Sequence, residues 1–141
     1  MSRTDTPVAT DPLTEREILA IQHLIAEIAF AFDSGGGGGG YTERLSGLLA
    51  DDVRYENPGK THLHSLAELV DTLENSADPA VSHHLSTMSV QPAGPGTATC
   101  RSKVVTFRSG GRLSVGEFTD TVRRGPGGRW TLTHRLVNPI I

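Results

Sequence analysis

The sequence predicts an α+β domain, with helices first and an antiparallel sheet after them. Two capping-box signatures, each followed by an apolar stripe at helical spacing, stand before residue 75. From residue 82 onward the hydrophobic period switches to two. Short Gly- and Pro-rich connectors then separate the alternating segments, and their lengths suit hairpins rather than crossover helices.

Residues 1–13, with Pro7, Pro12 and scattered Thr and Asp, carry no period and read as a flexible lead-in. Thr14 and Glu17 then form a capping box, in which each side chain satisfies the other residue's backbone N–H. Ile18, Ile21, Ile25, Ile28 and Phe32 follow at spacings of 3, 4, 3 and 4, one stripe on a helix over Glu15–Phe32. Ser34 and the glycine run 35–40 stop it, because glycine accepts left-handed cap geometry and weakens a helix. A short helix is expected over residues 41–49, carrying Leu45, Leu48 and Leu49 and ended by Asp51 and Asp52. Residues 53–56 alternate like a strand, closed by the turn residues Asn57, Pro58 and Gly59. Ser65 and Glu68 open a third helix with the stripe Leu66, Leu69, Val70 and Leu73. Strands are expected at 82–91, Thr97–Arg108, 112–123 and 129–138. Residues 14–141 thus form one domain, with 35–40 as a flexible loop between the first two helices. A curved sheet wrapping a helix needs such glycine breaks and leaves a concave face for a small molecule.

Composition narrows the function classes. With 36% hydrophobic and 21% charged residues, the chain fits a soluble globular protein. Cys100 is the single cysteine, which excludes an intramolecular disulfide and a cysteine-cluster zinc site. The polar first 12 residues lack a secretory pattern, and no apolar run approaches the roughly 20 residues that span a bilayer, so a cytoplasmic location without membrane contact is expected. Residues 1–80 hold 5 basic and 14 acidic side chains, and residues 81–141 hold 8 and 2. The arginines are spread over alternating strands with few aromatics between them. That argues for an acidic helical layer over a basic sheet, or facing one across a dimer, and against nucleic-acid binding.

Four pieces of sequence carry a resemblance. They are residues 29–33 at the end of the first helix, 48–55 (Leu-Leu-Ala-Asp-Asp-Val-Arg-Tyr), 82–86 (Ser-His-His-Leu-Ser), and 116–120 running on to 128–135 around Trp130. Together, in this order, they resemble the SnoaL-like branch of the nuclear transport factor 2-like superfamily. The resemblance implies a cone-shaped α+β barrel, with N-terminal helices packed in a strongly curved antiparallel sheet and a pocket at the open end. It also implies a homodimer through the sheet. The superfamily includes polyketide cyclases, scytalone dehydratase, lindane dehydrochlorinase, ketosteroid isomerases and dioxygenase small subunits, so fold alone leaves function open. Asp33 and His84 match an Asp and a His shared by scytalone dehydratase and lindane dehydrochlorinase, and Arg135 matches an arginine of the latter. Phe32 stands where scytalone dehydratase has tyrosine, and the strand Thr97–Arg108 lacks that enzyme's second histidine.

The chemistry of these residues supports the same expectation. Enolisation or β-elimination needs a base near neutral pKa and a group to orient it, which a His–carboxylate pair provides. His84 is therefore the expected general base, Asp33 its orienter and Arg135 an electrostatic aid to a developing anion. Tyr55, Met88 and Phe32 are the expected substrate-binding residues. The implied activity is a cofactor-independent lyase or isomerase on a small apolar or polyketide- or steroid-like molecule, and the alternative is a non-catalytic ligand-binding or partner-subunit protein. Each residue also has a plainer reading: Asp33 as part of a turn, Arg135 as a sheet-surface charge on the face of Thr133, Tyr55 as core. His83 and His84 face opposite ways: if His84 enters the pocket with Ser86 and Met88, His83 points out, and a register slip of one swaps them. His62, His64 and Glu68 have the spacing of a cupin metal motif, but Ser65 opens a helix between them, so no metal is expected. The glycine run lacks the Gly-Lys-Ser/Thr of a phosphate loop.

Overall fold

A computed structural model describes residues 11–33 and 40–141. The lead-in through residue 10 and residues 35–39 of the expected glycine loop lie outside the described residues. Helix α1 (Glu15–Phe32) is followed by α2 (Tyr41–Leu45), β1 (Leu49–Asn57), β2 (Thr61–Leu63) and α3 (Leu66–Glu74). A meander of β3 (Ala80–Gly94), β4 (Thr97–Arg108), β5 (Leu113–Arg124) and β6 (Trp130–Pro139) completes the chain. The six strands form one strongly curved, unclosed sheet in the order β2-β1-β6-β5-β4-β3. The architecture is α+β, as the period switch predicts.

Helix α1 begins as its capping box dictates. Glu17 N–H donates to Thr14 Oγ1 at 3.1 Å, and Thr14 N–H donates to Glu17 Oε1 at 3.0 Å. The stripe Ile21, Leu24, Ile25, Ile28 and Phe32 is buried against the sheet, where α1 packs on β3 and β6. Ser65 caps α3 as expected, but the Glu68 carboxylate accepts from His64 N–H instead of closing the reciprocal box.

Two boundaries differ from expectation. The second helix stops at Leu45, because Gly47 takes a left-handed φ of 85° and redirects the chain into β1. Leu49, Asp51 and Asp52 are therefore strand residues, the two aspartates exposed at an irregularity in the β1–β6 ladder. The sheet is also not wholly antiparallel: β1 pairs with β6 in parallel, Tyr55 opposite Arg135. The chain enters the sheet at β1, crosses by α3 to the far edge at β3, and zigzags back until β6 meets β1.

On the concave face the alternation is clean in β4, where Ala98, Cys100, Ser102, Val104 and Thr106 are buried, and in β5, where Phe118, Asp120 and Val122 are buried. Elsewhere register shifts break it, and two of them bear on the site. In β3 the register shifts between Ser86 and Ser89, and Thr87 sits at φ 52°. In β6 the shift falls opposite Thr121 and Val122, leaving Thr133 out of the ladder with its hydroxyl donating to Thr121 C=O at 3.1 Å. Each inserts one residue and reverses the inward phase of everything beyond it. A β-branched residue in the left-handed region is strained by about 1–2 kcal/mol. Thr87 is exposed. Thr87→Gly is thus expected to stabilise the protein by about 0.5–1 kcal/mol, after the entropic cost of glycine, read as a raised denaturant midpoint at unchanged m.

Candidate active site

The bulge at Thr87 decides which histidine faces the interior. Met88 and Val90 pack against the core on one side of it, and Leu85 and His83 face inward on the other. His84 points to the outer face, where Ser82 Oγ lies 2.9 Å from its Nε2 and its ring meets Phe107 edge-on at 5.1 Å. The expectation that His84 stands beside Asp33 is corrected here: the neighbour of Asp33 is His83. The strand carries an extra residue, so its inward phase is not continuous across Thr87.

Asp33 is the C-cap of α1, in extended conformation. Helix geometry disfavours a negative charge at that end, and two donors offset it. Asp33 Oδ1 accepts from His83 N–H at 2.9 Å and pairs with His83 Nδ1 at 2.7 Å, joining residues 50 apart in sequence. An ionised carboxylate only accepts, so Nδ1 carries the proton. The neutral ring then presents Nε2 as a lone pair, and among the described residues no hydrogen bond occupies it. Burial, above all, pushes His83 below the usual histidine pKa, with the Arg135 and Arg108 charges acting the same way and Asp33 opposing them. The imidazole is therefore held neutral and oriented, as a general base needs.

A cavity of 210 Å³ opens over this pair, lined among others by Phe32, Tyr41, Tyr55, Leu73, His83 and Arg108. The Phe32 ring stands edge-on to His83 at 6.0 Å and 6.3 Å from Tyr55. Burial pushes the Tyr55 hydroxyl above its ordinary pKa, so it stays protonated as a donor. Phe32 and Tyr55 both line the cavity. Met88 does not; it packs on the core farther along β3. A larger cavity of 580 Å³ lies at the other end of the sheet, around Leu13, Pro92 and Trp130. Its charged pair, Glu17 with Arg124 at 2.9 Å, is mutually satisfied, so size alone does not make it the chemical site.

Arg135 is differently placed from expectation. The bulge at Thr133 turns it onto the face of Leu132, not that of Thr133, and it is 1% exposed. Its Nε and Nη2 donate to the two carboxylate oxygens of Asp120 at 2.7 and 2.9 Å, and its guanidinium lies 3.9 Å from the centroid of Phe118. It belongs to the layer beneath the cavity. Arg108 is the arginine that lines the cavity. Both Asp120 and Arg108 were legible as inward positions, because they continue the alternations of Phe118 and Val122 and of Val104 and Thr106. His62 and Glu68 do not converge: His62 lies 3.7 Å from Glu56, and Glu68 is committed to His64 N–H. Glu56 also pairs with His134 at 2.5 Å on the outer face. No helix among the described residues is long and apolar enough to cross a membrane.

A curved sheet wrapped on a long helix thus places a carboxylate–imidazole pair beside an aromatic-lined cavity. Residues 14–136 match the SnoaL-like domain model, and the chain belongs to that family. A candidate scytalone dehydratase from Novosphingobium aromaticivorans shares its fold at 20% identity and TM-score 0.72, over 89% of this chain and 85% of that one. LinA is similar at 18% identity and TM-score 0.69, over 89% and 87%. An NTF2-like protein of unknown function from Pseudomonas aeruginosa follows at 19% and 0.70, over 86% and 99%. No curated protein matches at the level of sequence.

Proposed function

We propose that this protein is a lyase or isomerase working without metal or organic cofactor on a small, largely apolar substrate, with His83 as the general base. The observation that carries the reading is the 2.7 Å contact between Asp33 and His83 Nδ1. It leaves the His83 ring neutral at the cavity wall, with no hydrogen bond to Nε2 among the described residues. His83 removes a proton from a carbon acidified by a neighbouring carbonyl or leaving group. Asp33 holds the tautomer and steadies the imidazolium that forms. Tyr55, kept protonated by burial, donates to the oxygen on which negative charge develops. The fold shared with a candidate scytalone dehydratase and with LinA supports this reaction class. A homodimer is part of the same proposal, through the outer face of the sheet where Val81, Phe107 and Leu113 are exposed.

The test is proton exchange, which needs no knowledge of the full reaction. Small ring ketones incubated with the protein in heavy water should gain deuterium at the α-carbon, seen by NMR; a broad panel without exchange sinks the reading. The rate should fall on the acid side as His83 is protonated. Because burial lowers the His83 pKa, the midpoint is expected below the ordinary value of about 6.5. Asp33 acts to raise that pKa, so Asp33→Asn moves the midpoint lower still while cutting the plateau rate, through the wrong tautomer.

A further inference from the structure

Arg108 has no place in the proposed proton transfer, yet it lines the same cavity as His83. The β3–β4 register explains why. His83 is opposite Thr106 and Ala80 is opposite Arg108, so Arg108 lies one inward position beyond the partner of His83, on the concave face. Its recorded hydrogen bond is a long one, Nη1 to the Asp78 carbonyl at 3.4 Å. The Asp78 carboxylate, which also borders the cavity, is taken by Arg112 at 2.5 Å. Beneath the floor, Arg135 is neutralised by Asp120. Among the described residues Arg108 forms no ion pair, so the cavity carries a cation whose fork of donors is not matched by a carboxylate. Aromatic and aliphatic walls stand beside it: Phe32, Tyr41, Tyr55 and Leu73.

From this placement we infer that Arg108 is the substrate's anion-binding residue, and that the cavity takes small ring compounds bearing a carboxylate. Planar guanidinium donors match a carboxylate's two oxygens, and the aromatic walls take the ring. The inference deepens the proposed function, resting on the reading that this cavity is the substrate site, but it does not depend on turnover. It also assigns a division of labour, with Arg108 orienting the ring so that a carbon reaches His83.

Equilibrium binding of benzoate and its neutral isostere benzamide, followed by calorimetry and by the NMR signals of His83, tests it. Wild-type protein should bind benzoate about 10- to 100-fold more tightly than benzamide. Arg108→Gln should erase that preference, Arg108→Lys should restore part of it, and Arg101→Gln, on the outer face of the same strand and away from the cavity, should keep it. Equal affinity for the two ligands in wild type, a preference that survives in Arg108→Gln, or no binding of either overturns the inference. Failure of catalysis is read separately: benzoate preference with no deuterium exchange sinks the lyase or isomerase reading and leaves the anion site standing.

Discussion

His83→Gln is expected to lower turnover by about 10²- to 10⁴-fold, the usual contribution of a positioned general base, while His84→Gln leaves it within a few-fold of wild type. The contrast follows from one bulge. His83 is held by Asp33 through both its ring and its backbone N–H, whereas His84 lies on the outer face against Ser82 and Phe107. Neither substitution leaves a large void, so far-UV circular dichroism should match wild type in both. Steady-state rates in the exchange assay decide the outcome, and loss of activity in His84→Gln with retention in His83→Gln would reverse the assignment.

Asp120→Ala is expected to cost about 3–5 kcal/mol of stability, and a melting temperature lower by on the order of 10 °C. The pair is 0% and 1% exposed, and both Asp120 oxygens are committed to Arg135. Removing the carboxylate strands a guanidinium between Phe118 and Phe32, beneath the cavity, without a counter-charge. The double variant Asp120→Leu/Arg135→Met removes both charges and should recover most of that loss, since desolvation offsets most of what the buried pair gains. Thermal unfolding of the two proteins separates the cases. A double variant as unstable as the single one would mean that the pair acts through shape rather than charge.

Most of the fold was readable from local pattern. Thr14 and Glu17, the stripe from Ile18 to Phe32 and the alternation in Thr97–Arg108 each depend on neighbours within a few residues, where capping and periodicity act. The boundary after Leu45 was harder, because Leu48 and Leu49 suit either a helical stripe or a strand start, and the left-handed turn at Gly47 separates them. The site was half readable. Asp33 stands in a carboxylate–imidazole pair and Phe32 and Tyr55 line the cavity, but the expected Arg135 lies outside its lining and Arg108 is the arginine there. Arg108 and Asp120 continue the clean alternation of their strands, but His83 and Arg135 needed the phase of β3 and β6, and a bulge changes that phase without leaving a composition signal.

By itself, the sequence determined that this chain forms an α+β domain of the SnoaL-like family, with one long amphipathic helix ending in an aspartate. Those features follow from short-range periodicity and ordered motifs. Tertiary structure alone decided that β1 runs parallel to β6, that Asp33 meets His83, and that Arg135 is buried on Asp120. The physical reason is common to the last two. A strand's side-chain period is two, so one extra residue at Thr87 or Thr133 exchanges inside for outside, and only pairing with the neighbouring strand fixes where that residue goes.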